Sequence, residues 1–366
     1  PRGSNRHAVF LVHPREGLDY HYERNPADPR VAHELTLEVD DHGIVTQSAS
    51  VAYPRRVPAY AEQGVLLVTC SEVELTPVVD TDEAWRTPMA WRTRTFELTG
   101  MSAAAGATLS LERVRQWVAD AASIGYGTSP TAGVEEKRLL SDVRVRLLRD
   151  DLSGPLDFGQ MESRALTWET YRLALPDALV TQVYAGRVDA PMLSAEGGYV
   201  QLAGAADWWA PSGRAVYAAD AAAHFYLPDG VRDPFGQVTA VTYDAYDLLV
   251  TETRDPYGNA LRATNDYRVL QPQLVTDANG NRAGVAFDAL GRVAGMALLG
   301  QAGRGEGDDL TGFDPDPDEA TVIAYGSDPL ATGATLLGRA TKCFVYDPWR
   351  FARTSREPAL VASLAR

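Results

Sequence analysis

Apolar and polar positions alternate along much of the chain. Leu18-Asp19-Tyr20-His21-Tyr22-Glu23, Leu35-Thr36-Leu37-Glu38-Val39-Asp40 and Val143-Arg144-Val145-Arg146-Leu147 all read with a period of two. That period sends successive side chains to opposite faces of a strand, one face to a core and the other to water. Residues 65–69, 93–98, 237–243, 248–254, 285–287 and 292–299 are further strand candidates. Helical periodicity is scarce. Ser110 is placed to cap a helix that carries Leu111, Val114, Trp117, Val118 and Ala121 on one side. Residues 168–184 are predicted as two short helices broken near Pro176, and 319–324 as one more. The expected fold is mainly β: a large, twisted and curved antiparallel sheet with a few short helices.

Turn chemistry sharpens this expectation into a repeat. Asp-x-x-Gly pairs Asp233 with Gly236, Asp255 with Gly258, Asp277 with Gly280, and Asp288 with Gly291. The first three copies are 22 residues apart and the fourth follows at half that distance. Further copies pair Asp40 with Gly43, Asp151 with Gly154, and Asp309 with Gly312. An Asp at the first position of a turn can bond the turn backbone, and Gly at the fourth tolerates a positive φ. Pro234 and Pro256 stand second, where their fixed φ fits. One 22-residue unit therefore reads as two strands and two turns, and a fixed period of this size marks a repeat architecture. The expected organisation is a β-rich region with helical insertions over 5–230, then repeat strands over 231–366 that continue the same sheet. The Ala/Gly-rich stretches 101–107 and 218–223 read as loops. Pro1-Arg2-Gly3-Ser4 reads as the remnant of a thrombin-type tag linker, outside the fold.

Composition limits the function classes. Hydrophobic residues at 45% against 23% charged are those of a globular chain. A net charge of −15 disfavours a polyanion, so no nucleic-acid partner is expected. No apolar run approaches a membrane span, and no direct membrane insertion is expected. Cys70 and Cys343 are too far apart in sequence and too few for a disulfide framework or a zinc knuckle, and read as buried thiols.

No catalytic constellation emerges. G-x-S-x-G and HExxH are absent, so no catalytic residue, metal or cofactor is expected. His7, His13, His21, His33 and His42 cluster near the start without metal spacing and read as structural. The turn aspartates could be imagined as calcium ligands. One carboxylate every 11 or 22 residues falls short of the six to eight oxygens calcium takes, and the turn role is preferred. The glycines at 125–127 and 303–307 read as loops. Trp208 and Trp209 could form a ligand-facing stacking platform, although aromatics of a large sheet mostly pack across strands.

Several blocks, taken together, resemble a known family. VTDANGNRAGVAFDALGRVAGMALLG (275–300) is similar to the RHS/YD repeat, with Phe287-Asp288-Ala289-Leu290-Gly291-Arg292 in place of Tyr-Asp-x-x-Gly-Arg. DPYGNALRATNDYRVLQPQLVTDANGNR (255–282) resembles the B component of insecticidal toxin complexes, the SpvB/TcB type of the Tc toxins. So do HPREGLDYHYERNPADPRVAHELTLEVDDHG (13–43), EGGYV (196–200), DWWAPSGR (207–214) and FYLPDGVRDPFGQVTAVTYDAYDLL (225–249). These blocks keep the family's order and span nearly the whole chain.

The resemblance implies the middle to C-terminal part of the B component. It implies a wall segment of a hollow B–C shell, which holds a cytotoxic C-component peptide before translocation through the A-component pore. The implied partners are the rest of B and the C component. The A component would be reached only through a propeller that this stretch does not show. The implied setting is secreted, within a bacterial toxin complex, and the implied role is not enzymatic. One alternative is an extracellular glycan- or receptor-binding β module carried by Trp208 and Trp209. Another is an ADP-ribosyltransferase, suggested by the SpvB name, but its Arg…Ser-x-Ser…Glu-x-Glu pattern is missing here.

Overall fold

The computed structural model describes residue 7, residues 10–104 and residues 106–366; residues 1–4, the expected tag remnant, lie outside the described residues. Two compact units emerge, one of residues 1–214 with 233–235, the other of 215–232 with 236–366.

In the first unit the alternating segments become strands. These are β1 (Glu16–His21), β2 (Arg30–Val39), β3 (Val45–Ala52), β4 (Leu67–Leu75), β5 (Val79–Asp80), β6 (Trp85–Arg86), β7 (Ala90–Thr99), β8 (Ala122–Ile124), β9 (Glu136–Leu147), β10 (Thr167–Leu175), β11 (Val200–Gln201) and β12 (Trp208–Pro211). The sheet runs β1-β2-β3-β4-β7-β9-β10-β12-β11, with β8 parallel beside β9 and β5–β6 apart as a small hairpin.

One sheet face carries the core. The helix α1 (Leu111–Asp120) starts where expected, with Ser110 Oγ accepting the Arg113 N–H. Leu111, Val114, Trp117 and Val118 pack on Leu35, Leu37, Val51, Val68, Cys70 and Leu98. Each such burial is worth roughly 1.5–3 kcal/mol. Arg115 Nε donates to the Leu37 carbonyl at 2.8 Å and ties helix to sheet. Further along, the same face turns ionic. Asp142, 2% exposed, takes Arg92 in bidentate fashion and also Arg144. A buried carboxylate is tolerated when paired this closely.

Residues 168–175 correct the helical expectation. They form β10, paired with both β9 and β12, and only α2 (Asp177–Tyr184) is helical. Within 167–175 Glu169 and Tyr171 point inward together, and a two-sided pairing partner outweighs weak local helix preference.

A second sheet is a plain antiparallel meander in sequence order. It comprises β13 (Arg214–Val216), β14 (Gly230–Arg232), β15 (Val238–Tyr243), β16 (Val250–Arg254), β17 (Ala260–Asp266), β18 (Gln271–Thr276), β19 (Asn281–Phe287), β20 (Val293–Gln301), β21 (Lys342–Asp347) and β22 (Leu360–Ala365). The break in hydrogen bonding between the two sheets falls between β12 and β13. Two helices lie between β20 and β21. The first, α3 (Glu319–Ser327), was expected; the second, α4 (Pro329–Leu337), was not, although Asp328 caps it and Pro329 opens it. A short α5 (Arg350–Thr354) precedes β22. These helices cover β21, where Val322, Cys343 and Val345 form a small core with Phe313, Tyr325 and Leu364. By contrast, Ala260 is the only buried residue of β15, β16, β17 and β18. That part of the sheet is a single layer, accessible on both faces.

Candidate functional site

The turns of the meander are its most ordered chemistry. At Asp255 the carboxylate Oδ1 accepts the N–H groups of Tyr257 (2.9 Å) and Asn259 (2.8 Å), while Oδ2 takes the Asn259 amide at 2.8 Å. The Gly258 N–H returns to the Asp255 carbonyl at 3.0 Å, with Gly258 at φ +88°. Asp277 repeats the arrangement with Asn279, Asn281 and Gly280. Asp40 does so in the first sheet, bonding His42 and Ile44 N–H between β2 and β3, with Gly43 closing the turn. At Asp233 the carboxylate accepts the Phe235 N–H at 2.9 Å and Gly236 has φ +86°.

The hydrogen bonds set the charge state. The Asn259 side chain, and likewise Asn281, holds the Asp255 and Asp277 carboxyls below the usual carboxylate range. At Asp40 burial pushes upward, but the Ile44 and His42 N–H groups outweigh it and the net direction is down.

Two further turns use the same device without glycine. Asp244 Oδ1 accepts from Tyr246 and Leu248, and the left-handed fourth residue is Asp247 at φ +54°. Asp266 accepts the Arg268 N–H at 2.8 Å in a turn one residue longer, with Leu270 left-handed at φ +56°. Asp233, Asp244, Asp255, Asp266, Asp277 and Asp288 thus stand 11 residues apart throughout. Each strand-plus-turn is 11 residues, and the 22-residue unit is a hairpin. Not every Asp-x-x-Gly obeys the rule. The Asp151 carboxylate accepts the Ser153 N–H at 2.9 Å, but the turn bond runs from the Leu152 N–H to the Arg149 carbonyl, two residues earlier than the motif requires. Asp309 bonds Thr311, but its turn closes from Phe313 to Leu310 and joins no paired strands.

Turns at Asp244, Asp266 and Asp288 share one end of the sheet, because alternate reversals of a meander face the same way. Side chains lace them together. Tyr267 Oη donates to Asp244 Oδ2 at 2.6 Å, and Arg268 Nη1 donates to the Asp288 carbonyl at 2.9 Å. The Asp244 carboxyl is held low chiefly by that Tyr267 bond. His224 Nδ1–H donates to Asp247 Oδ2 at 2.8 Å, and that bond raises the imidazole pKa.

The Asp288 turn is the buried member, with the carboxylate 2% exposed. It accepts the Leu290 and Arg292 N–H groups and, at 2.7 Å, Arg292 Nε. Burial alone would raise this carboxyl; the Arg292 bonds reverse the direction and keep it ionised. The Arg292 guanidinium stacks 4.0 Å above the Tyr346 ring. All these carboxylates accept hydrogen bonds from their own turns. The predicted turn residues thus fasten the reversals of the ladder.

The two tryptophans lie inside. Trp208 is 6% exposed and Trp209 is 1% exposed. Trp209 packs with Tyr171 and Leu202, and Arg144 stacks on its ring at 4.3 Å. Neither ring presents an open face, and that of Trp209 is used in packing across the sheet. His33 is likewise interior: Nδ1 meets Tyr53 Oη at 3.0 Å and that oxygen accepts the Leu109 N–H. Among the described residues no group of three or more His, Cys, Asp or Glu side chains could hold a metal ion, and no helix is long and apolar enough to cross a membrane.

Large antiparallel sheets closed by Asp turns define a mainly β protein, and residues 1–79 match the family model described as the insecticide toxin TcdB middle/C-terminal region. The resemblance to a Tc-toxin B component thus stands on the sequence as well as on the fold. Among solved structures the chain is similar to TcdB2-TccC3, with a TM-score of 0.55 and 23% identity over 96% of this chain. It is also similar to the Photorhabdus luminescens Tc holotoxin pore, with a TM-score of 0.52 and 22% identity over 94% of the chain. At these identities the likeness is one of fold. The chain spans 17% of the length of each of those chains. No curated protein matches it.

Proposed function

We propose that this chain is a non-enzymatic wall segment of a Tc-type B–C shell, which encloses a cytotoxic C-component peptide before its passage through the A-component pore. The observation that carries the reading is the single-layer meander from β15 to β18. Its strands bury almost nothing within the chain, yet every reversal is pinned by an aspartate. Such a sheet has two accessible faces, as a wall between a lumen and solvent must. It gains rigidity from backbone pairing and turn bonds rather than from a thick core. The likeness in fold to the TcdB2-TccC3 structures supports the same reading, as does the match over residues 1–79. The partners are the remainder of the B component and a C component, and the setting is an extracellular toxin complex.

The test uses the full-length parent co-expressed with its C partner. Protease added outside the complex is expected to leave the cargo peptide intact. Paired Asp255→Ala and Asp277→Ala changes are expected to expose the cargo to cleavage while the B–C complex still forms. Cargo cleaved equally fast in the unaltered complex would overturn the wall reading.

A further inference from the structure

Between the Asp288 turn and β21 the second unit encloses a cavity of about 290 Å³. Small-molecule sites occupy roughly 300–1,000 Å³, so this volume suits one inserted side chain better than a cofactor. Its walls include Asp288, Arg292, Asp316, Asp318, Tyr346 and Trp349, together with three prolines.

Aromatic rings on this face already serve as seats for cations. Lys342 Nζ lies 4.8 Å from the Phe344 ring centre, and Arg292 lies 4.0 Å from that of Tyr346. Trp349 is the third ring at the cavity. It is 38% exposed, and among the described residues no cation covers it. The charge of the lining points the same way. Asp288 and Arg292 neutralise one another, which leaves Asp316 and Asp318 uncompensated. Asp316 gives one oxygen to the Ala289 N–H at 2.8 Å, and Asp318 caps α3 through the Thr321 N–H at 2.8 Å. An anion would meet two carboxylates here, and a neutral apolar group would gain nothing from them. A cation gains both the ring and the charge.

We propose that this cavity receives an arginine or lysine side chain of a partner polypeptide, stacked on Trp349 and paired with Asp316 and Asp318. The partner segment is basic at that position and apolar beside it, because Leu290 at the cavity mouth is 75% exposed.

The test titrates the whole chain with N-acetyl-arginine methylamide and, as a neutral match, N-acetyl-norleucine methylamide. The readout is the Trp349 indole N–H resonance, assigned with Trp349→Phe. The arginine probe is expected to shift that resonance with a dissociation constant on the order of millimolar. Asp316→Asn with Asp318→Asn keeps both hydrogen-bond acceptors and is expected to weaken binding by about five-fold or more, as is raised salt. No shift with arginine up to about 50 mM, equal shifts with norleucine, or affinity unchanged in the folded double variant would each overturn the proposal.

Discussion

Asp288→Ala separates the buried turn from its exposed siblings. In the intact chain Asp288 accepts two backbone N–H groups at 2.9 and 2.8 Å and the Arg292 Nε at 2.7 Å. With alanine there, both N–H groups lose their acceptor at a position far less open to solvent than the other turns. An unsatisfied buried donor costs about 1–3 kcal/mol. The Arg292 side chain is 37% exposed and keeps the Tyr346 ring, so its share of the ion pair is small. The two donors together amount to about 2–6 kcal/mol against the β19–β20 hairpin.

Hydrogen exchange of the β19 and β20 amides is the assay, because a two-unit chain need not unfold in one step. A loss of about 3 kcal/mol speeds exchange by about a hundred-fold. Asp288→Asn keeps an oxygen for the N–H groups and is expected to restore most of the protection. Asp255→Ala deletes the same pair of backbone bonds, but in a turn where water can replace the carboxylate, and its effect on β16 and β17 is expected to be smaller. Equal effects of the two alanines, or a larger one at Asp255, would refute the reasoning that burial sets the cost.

Gly291→Ala and Gly258→Ala both force an alanine into left-handed backbone, a cost of about 1 kcal/mol. Only at Gly291 would the new Cβ also meet Val269 Cγ1, at 2.9 Å, so denaturation midpoints are expected to fall further for Gly291→Ala. The raised pKa of His224 means that its bond to Asp247 stabilises fully below the unfolded value of about 6.5 and fades as pH rises through the higher folded value. Exchange at 220–227 is therefore expected to quicken with rising pH beyond the intrinsic rate, and His224→Gln to flatten that dependence. Burial pushes the Cys70 thiol up to about 12 and also raises that of Cys343, so neither is expected to react with a thiol reagent at pH 8 until denaturant is added.

Strand positions were legible because one-sided burial writes a period of two into the sequence. Leu35 to Val39 show this within β2, whereas Val143 to Leu147 fall within β9 with both faces partly buried. Helix α1 was legible through its cap and its four buried side chains. What stayed hidden depended on tertiary partners. Residues 168–175 read as helix because nothing local reveals that β9 and β12 flank them. Packing was the preferred reading of Trp208 and Trp209, but sequence does not show that Tyr171 and Arg144 are the partners of Trp209. The Lys342–Phe344–Tyr346 face was invisible for the same reason, since Arg292 reaches it only after about fifty residues of intervening chain.

The turns show which half of their motif does the specifying. Gly marks only the positions where the left-handed residue is free of a side chain, and Asp247 and Leu270 fill that place without it. A left-handed non-glycine costs about 1–2 kcal/mol, an amount that two charge-assisted bonds from backbone N–H to carboxylate can offset. An aspartate can therefore dispense with its glycine, whereas a glycine alone supplies no acceptor for the turn donors. A search keyed on Asp-x-x-Gly sees a 22-residue period with one stray half-step. A search keyed on Asp alone sees 233, 244, 255, 266, 277 and 288, a uniform 11-residue beat that gives strand length and reversal together. The carboxylate carries the register, and glycine only lowers the strain of keeping it.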